Sequence, residues 1–182
     1  MAEFYLVRHG EPDWDWALKK NFYGPAGNYV PLTQKGVAQL EAAARDPRLK
    51  GADYILASPY TRTMQSAQIL SRRLDLDVKV DWDIHEWIYD TGLKGDLPPE
   101  GDYHSGPDMV DCFDHYVVER GEPLPGRCCE TIADIRRRVL PALRRHAAAK
   151  KVIVVCHEGV IRSLTDADPV EHGQIVPFTL PD

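Results

Sequence analysis

Residues 151 to 156 read Lys-Val-Ile-Val-Val-Cys, a continuous apolar, β-branched run of the kind that strands show when both of their faces are buried. A strand of this type needs a covering layer on each side, which restricts the chain to folds with a sheet sandwiched between helices. Glu3 to Arg8, through Phe4-Tyr5-Leu6-Val7, is a second such run, Asp53 to Ala57 a third, and Val78 to Val80 a short fourth. Helical patterns separate them. Thr33 is placed to cap a helix carrying Val37, Leu40 and Ala44, which Pro47 stops. Ser58-Pro59 reads as N-cap and first position of a helix with Met64, Ala67, Leu70 and Leu74 on one face. Ile132, Ile135, Val139 and Leu143 mark a basic amphipathic helix, and Gln174 to Leu180 is a candidate edge strand. The predicted fold is α/β, a three-layer sandwich whose mostly parallel central sheet is covered by helices on both faces, with ligands at the carboxyl ends of the strands.

Two stretches interrupt this alternation. Residues 11 to 33 carry Pro12, Gly24, Pro25, Gly27, Asn28 and Pro31 and read as a long loop, of a length that is usually either functional or disordered. Residues 81 to 129 mix aromatics with Gly, Pro and Asp and read as a cap-like insertion with one helix near 108 to 120. At 182 residues and 43% hydrophobic composition the chain is expected to be a single domain, 1–182.

A net charge of −6 gives no global field to attract nucleic acid or an anionic membrane, so any anion site must be a local basic pocket. With no 18-residue apolar run and no signal-peptide pattern, a cytoplasmic location is expected. Cys112, Cys128, Cys129 and Cys156 lack CxxC spacing, so reduced thiols are expected and no metal.

Basic residues recur where strands end or helices begin: Arg8-His9-Gly10 after the first strand, Arg62 in the first turns of the next helix, and His157 after the 151–156 strand. In a parallel sheet these positions converge on one edge and build a cationic pocket suited to a phosphoryl group. A neutral imidazole has a lone pair for in-line attack on phosphorus, the role His9 fits. Arg8 and Arg62 can grip phosphate oxygens with a planar, permanently charged fork, and Gly10 allows close approach of backbone and phosphate. The leaving alkoxide needs a proton, and Glu86, flanked by Ile84, Trp87 and Ile88, is the best-placed donor, with Asp83 and Asp90 as alternatives. Asn21 and Tyr23 complete the candidate substrate-binding set.

Four blocks, LVRHGE (6–11), PLTQKG (31–36), ASPYTRTMQSAQIL (57–70) and VVCHEGVIRSL (154–164), together resemble the histidine phosphatase superfamily, also called the phosphoglycerate mutase-like family. The resemblance implies His9 as the phosphorylated nucleophile, Arg8, Arg62 and His157 as ligands of the phosphoryl oxygens, a proton donor where Glu86 stands, and no metal or organic cofactor. The chain departs from the family pattern at Pro12, Asp15, Tyr29 and Glu158, and Gly92 does not align with the glycine expected after the acid.

The expected activity is hydrolysis of a phosphomonoester through a phosphohistidine. Asp90, Asp96, Glu100, Asp102, Asp108, Asp111 and Asp114, facing chiefly Lys94, point to a small or weakly anionic substrate. The alternatives are a phosphoglycerate-type mutase and a catalytically impaired phosphate-binding or interaction domain. A further rival is a thiolate phosphatase using Cys156, since Cys156-x5-Arg162-Ser163 has the spacing of a phosphate loop. Against that loop, Ile161 is β-branched where unusual backbone angles are needed. The only partner expected is the small-molecule substrate; the sequence leaves the oligomeric state open.

Overall fold

The computed structural model describes residues 2–22, 24–88, 113–122 and 129–181. The four predicted strands form as β1 (Glu3–Arg8), β2 (Tyr54–Ala57), β3 (Val78–Val80) and β4 (Lys151–Cys156), joined by β5 (Ile175–Thr179). Their order is β3-β2-β4-β1-β5. The first four run parallel, while β5 pairs antiparallel with β1.

Alternation along the strands divides the core in two. Leu6, Leu56, Val152, Val154 and Cys156 face Ile135, Val139 and Leu143 of α4 (Ile132–Arg144) and Val160 and Ile161 of α5 (Glu158–Leu164). Val7, Ile55, Ala57, Ile153 and Val155 face Leu40 of α2 (Gln34–Ala43) and Ala67 and Leu70 of α3 (Thr61–Leu74). Helices therefore cover both sheet faces, as the apolar strand runs require.

Three expectations change. The 11–33 segment contains α1 (Trp14–Lys19) and a 3-10 helix (Gly24–Tyr29). Asp13 caps α1 by accepting from Trp16 N, Ala17 is buried beneath it, and Trp16 packs edge-on against Phe22. Helix α3 begins at Thr61, with Tyr60 as its cap, rather than at Ser58-Pro59. Ser58 is instead drawn into the sheet, its N–H donating to Val155 O at 3.0 Å. Of the expected insertion, a π-helical segment (Phe113–Glu119) packs on the core through Phe113 and Val117. Tyr23, Lys94, Cys112, Cys128 and the acids at 90, 96, 100, 102, 108 and 111 lie outside the described residues.

Among the described residues no helix is long and apolar enough to cross a membrane.

Candidate active site

The parallel register sets the site. Arg8 pairs with Cys156 and Ala57 with Val155, so β1, β2 and β4 end side by side and release His9, Ser58 and His157 at one edge. The His9 N–H continues the ladder to Cys156 O at 3.1 Å. The rings of His9 and His157 stand edge to face, 5.2 Å apart. Arg62, in the first turn of α3, reaches the same point: its Nε donates to His9 Nε2 at 3.2 Å and its Nη1 to Gly27 O at 3.2 Å. His9, Arg62 and His157 are all buried, at 4%, 6% and 0% exposure, so the charge and polarity they carry must be met by partners within the site.

His9 has a fixed tautomer. Nδ1 lies 2.7 Å from Gly10 O, which can only accept, so Nδ1 carries the hydrogen and Nε2 keeps its lone pair. Burial, then the Arg62 guanidinium, holds the ring neutral by lowering its pKa well below the ordinary histidine value. Gly10 also leaves no room for a side chain, because a Cβ there would run into the Gly36 carbonyl at the start of α2. The close approach it permits is thus between the β1 turn and α2. Its N–H is held by Ser66 Oγ at 3.2 Å.

Arg8 is anchored from two sides, by Nη1 donating to Val170 O and by Nη2 lying 2.8 Å from Glu158 Oε2. Arg8 Nε and His157 Nδ1 are the buried side-chain polar atoms that lack a hydrogen-bond partner among the described residues. Both belong to predicted phosphoryl ligands. His157 Nδ1 faces Glu86 Oε2 at 3.8 Å, and His157 Nε2 lies 2.8 Å from Ser58 Oγ.

Glu86 follows the 3-10 turn Trp82–Ile84 at the same sheet edge. Its side chain keeps a quarter of its surface exposed, yet the surrounding burial raises its pKa against the opposing pull of Trp87 N–H, Arg62 and Arg8. Gly159 makes space for it: a Cβ there would sit 2.7 Å from Glu86 Oε1 and 3.3 Å from Phe113 Cζ. Asp83 has other partners, with its carboxylate 2.8 Å from Arg145 and 46% exposed. Asp90 lies outside the described residues.

Asn21 is exposed, in left-handed backbone at φ 55°, at the end of α1. No hydrogen bond ties it to His9, Arg62 or His157 among the described residues. Asp15, one of the departures from the family pattern, is exposed in the first turn of α1. Cys156 lies on the face of β4 toward α4 and α5, fully buried, and burial drives its thiol pKa far above the ordinary value. A buried thiol held protonated is a poor nucleophile, which argues against the thiolate reading.

Sequence reasoning missed Ser58, taken for a helix cap, and His172. The latter arrives because β5 runs antiparallel and starts where β1 ends: Gly173 N donates to Arg8 O at 3.0 Å, and the His172 ring lies 5.5 Å from that of His9. A His-Gly pair before an edge strand carries no periodic signal that announces this. Among the described residues, no cluster of three or more His, Cys, Asp or Glu side chains is arranged to hold a metal ion.

A model of the histidine phosphatase superfamily (branch 1) matches residues 4–168. The "Probable phosphoglycerate mutase GpmB" of Enterobacter sp. (strain 638) is 36% identical over 81 residues, or 44% of this chain and 36% of that protein. In that match the chain spans little more than a third of the relative's length. The protein of the same name from Serratia proteamaculans is 26% identical over 160 residues, covering 86% of this chain and 70% of its own. Bacillus stearothermophilus YhfR shares the fold at a TM-score of 0.71 and 20% identity, over 97% of this chain and 90% of that one. Mycobacterial glucosyl-3-phosphoglycerate phosphatase complexed with VO3 gives 0.69 at 18% identity, over 97% and 90%. Phosphoserine phosphatase from Entamoeba histolytica, a mutant complexed with phosphoserine, gives 0.66 at 19%, over 98% and 91%.

Proposed function

This chain belongs to branch 1 of the histidine phosphatase superfamily, and from that footing we propose that it hydrolyses a phosphomonoester through a phosphohistidine on His9. The observation that carries the reading is the pairing of a fixed His9 Nε2 lone pair with buried polar atoms around it, two of which, Arg8 Nε and His157 Nδ1, lack a hydrogen-bond partner among the described residues. Nε2 attacks phosphorus in line and the phosphorus to alkoxide-oxygen bond breaks. Arg8, Arg62 and His157 hold the equatorial oxygens, and protonated Glu86 gives its proton to the departing alkoxide. Water then attacks the phosphohistidine, returning a proton to the Glu86 carboxylate and releasing phosphate.

Glu158 favours a weakly anionic substrate. Its carboxylate on Arg8 consumes one of the charges that a second phosphate or several carboxylates would need. The names of the GpmB relatives favour a mutase as the second reading.

The test is to quench turnover of an aryl phosphate under denaturing conditions and locate the phosphoryl group by mass spectrometry. The adduct is expected on His9, absent in His9→Ala and kept in Cys156→Ser; an adduct that survives His9→Ala overturns the proposal. Interconversion of 2- and 3-phosphoglycerate faster than release of inorganic phosphate would decide for the mutase.

A further inference from the structure

His157 can bind a phosphoryl oxygen only through an N–H, because a neutral ring also has a lone pair that would repel it. Burial, then the Arg62 guanidinium, lowers the His157 pKa well below the ordinary value, so the ring has one proton to place. Which nitrogen carries it decides whether His157 is a donor or an obstacle.

Ser58 makes that choice. Its side chain is fully buried, and its Oγ has one hydrogen-bond partner among the described residues, His157 Nε2 at 2.8 Å. If Nε2 carried the hydrogen, the buried Ser58 hydroxyl would be left with its own O–H unsatisfied, at a cost that buried polar groups rarely bear. With the hydrogen on Nδ1, the Ser58 O–H donates to the Nε2 lone pair and both groups are satisfied. Nδ1–H is then the atom without a partner among the described residues, directed to the side where Glu86 Oε2 lies at 3.8 Å.

We infer that Ser58 is a positioning residue that locks His157 in the Nδ1–H tautomer and so makes it a phosphoryl-oxygen donor. The two histidines are then set alike by different means. Gly10 O holds the hydrogen of His9 on Nδ1 by accepting it, and Ser58 holds that of His157 on Nδ1 by donating to the other nitrogen. One ring presents a lone pair at Nε2 and the other a hydrogen at Nδ1, a nucleophile and an electrophilic clamp made from the same side chain.

The kinetic consequence rests on the phosphomonoesterase reading; the tautomer does not, and the two are measured separately. In protein labelled with 15N-histidine, the His157 signals are identified by their loss in His157→Asn, and long-range 1H–15N correlations report which nitrogen is protonated. In the resting wild-type protein Nδ1 is expected to show the protonated shift and Nε2 the lone-pair shift. The reverse pattern, or a doubly protonated ring, overturns the inference whether or not any variant folds. Ser58→Ala is expected to give a mixed or reversed tautomer and to lower kcat/KM about 10- to 100-fold, the loss of a hydrogen bond to a charged oxygen. Ser58→Thr, which keeps the hydroxyl, is expected to restore the Nδ1–H pattern. A Ser58→Ala protein that folds with the wild-type tautomer also counts against it, since a merely structural serine would move thermal stability and leave the proton where it was.

Discussion

Glu158 sits where a phosphate pocket tolerates a carboxylate least, yet its Oε2 is 2.8 Å from Arg8 Nη2 and its Oε1 3.8 Å from Arg162. It belongs to a chain of charge, since Arg162 is also held by Asp114 at 2.5 Å and Asp168 at 3.0 Å. Removing the Glu158 charge frees Arg8 for substrate, an interaction worth roughly 1 kcal/mol when partly exposed. Glu158→Gln should therefore lower KM about 5-fold for multiply charged phosphate esters and less for phenyl phosphate, and high salt should shrink the gap. An unchanged or higher KM across the substrate series would mean that Arg8 does not meet the substrate. Glu86 tests the other half of the chemistry. Glu86→Gln should slow alkyl phosphates roughly 100- to 1,000-fold but aryl esters far less, because an aryl oxide leaves without a proton. Equal losses on both would move the donor role elsewhere.

At the scale of elements, Glu86 depends on a clamp that no motif announces. Arg138, on α4, donates from Nη1 to Asp83 O at 2.7 Å and His85 O at 2.9 Å, and from Nη2 to Glu86 O at 3.3 Å. Its other face meets Glu130, 2.6 Å away, in a pair whose side chains are 15% and 10% exposed. Glu130 also accepts from Ile88 N at 2.9 Å, and its backbone carbonyl takes the Trp87 indole N–H at 2.7 Å. The loop that carries the acid is thus fastened by one arginine from the middle of α4 and one glutamate just ahead of its cap, Thr131. Arg138→Ala leaves Glu130 buried without its counter-charge, and should destabilise the protein by about 3 kcal/mol. The pair Arg138→Met with Glu130→Leu removes both charges and should recover most of that stability in chemical denaturation. Activity on alkyl phosphates should stay low in the double variant, because the carbonyls of residues 83 to 86 have lost their anchor. Recovery of activity together with stability would show that the clamp serves folding alone. In the sequence Arg138 looks like an ordinary member of a charged amphipathic helix, and Glu130 like an ordinary residue ahead of it. Strands and the ends they place were legible because burial on two faces leaves a composition that one can read. A long-range contact between a guanidinium and loop carbonyls leaves none.

Taken whole, the molecule gathers ionisable groups at one sheet edge, and the sequence showed the convergence of Arg8, His9, Arg62 and His157 because parallel strands must end together. It did not show His172, whose place depends on β5 running antiparallel beside β1. The gathering has a consequence for acid stability. Burial first of all lowers the pKa values of His9, His85, His157 and His172 at that edge and of His146 beside Tyr54 at the start of β2; that of His172 falls to about 4 from an ordinary 6.5. Above pH 6.5 these rings are neutral in both folded and unfolded chains and cost nothing. Below it the unfolded chain takes up protons that the native protein refuses, so stability is lost as pH falls, for His172 between 6.5 and about 4. Each fully buried ring can contribute up to about 1.4 kcal/mol per pH unit, and partly exposed ones less because solvent screens them. Glu86 acts in the opposite sense. Its raised pKa means that the native protein keeps a proton the unfolded chain releases above an ordinary 4.5, so this one group loses stability as pH rises from there. Five histidines outweigh one glutamate, and Tm should fall steadily from pH 7 to pH 5. In Glu86→Gln the opposing contribution is gone, so its fall over that range should be steeper than that of wild type, while His157→Asn should flatten it. A Tm that holds level between pH 7 and pH 5 in the wild-type protein would mean that native and unfolded chains take up protons alike, so that the site's histidines charge near their ordinary pKa and burial does not keep the His9 lone pair free at acid pH.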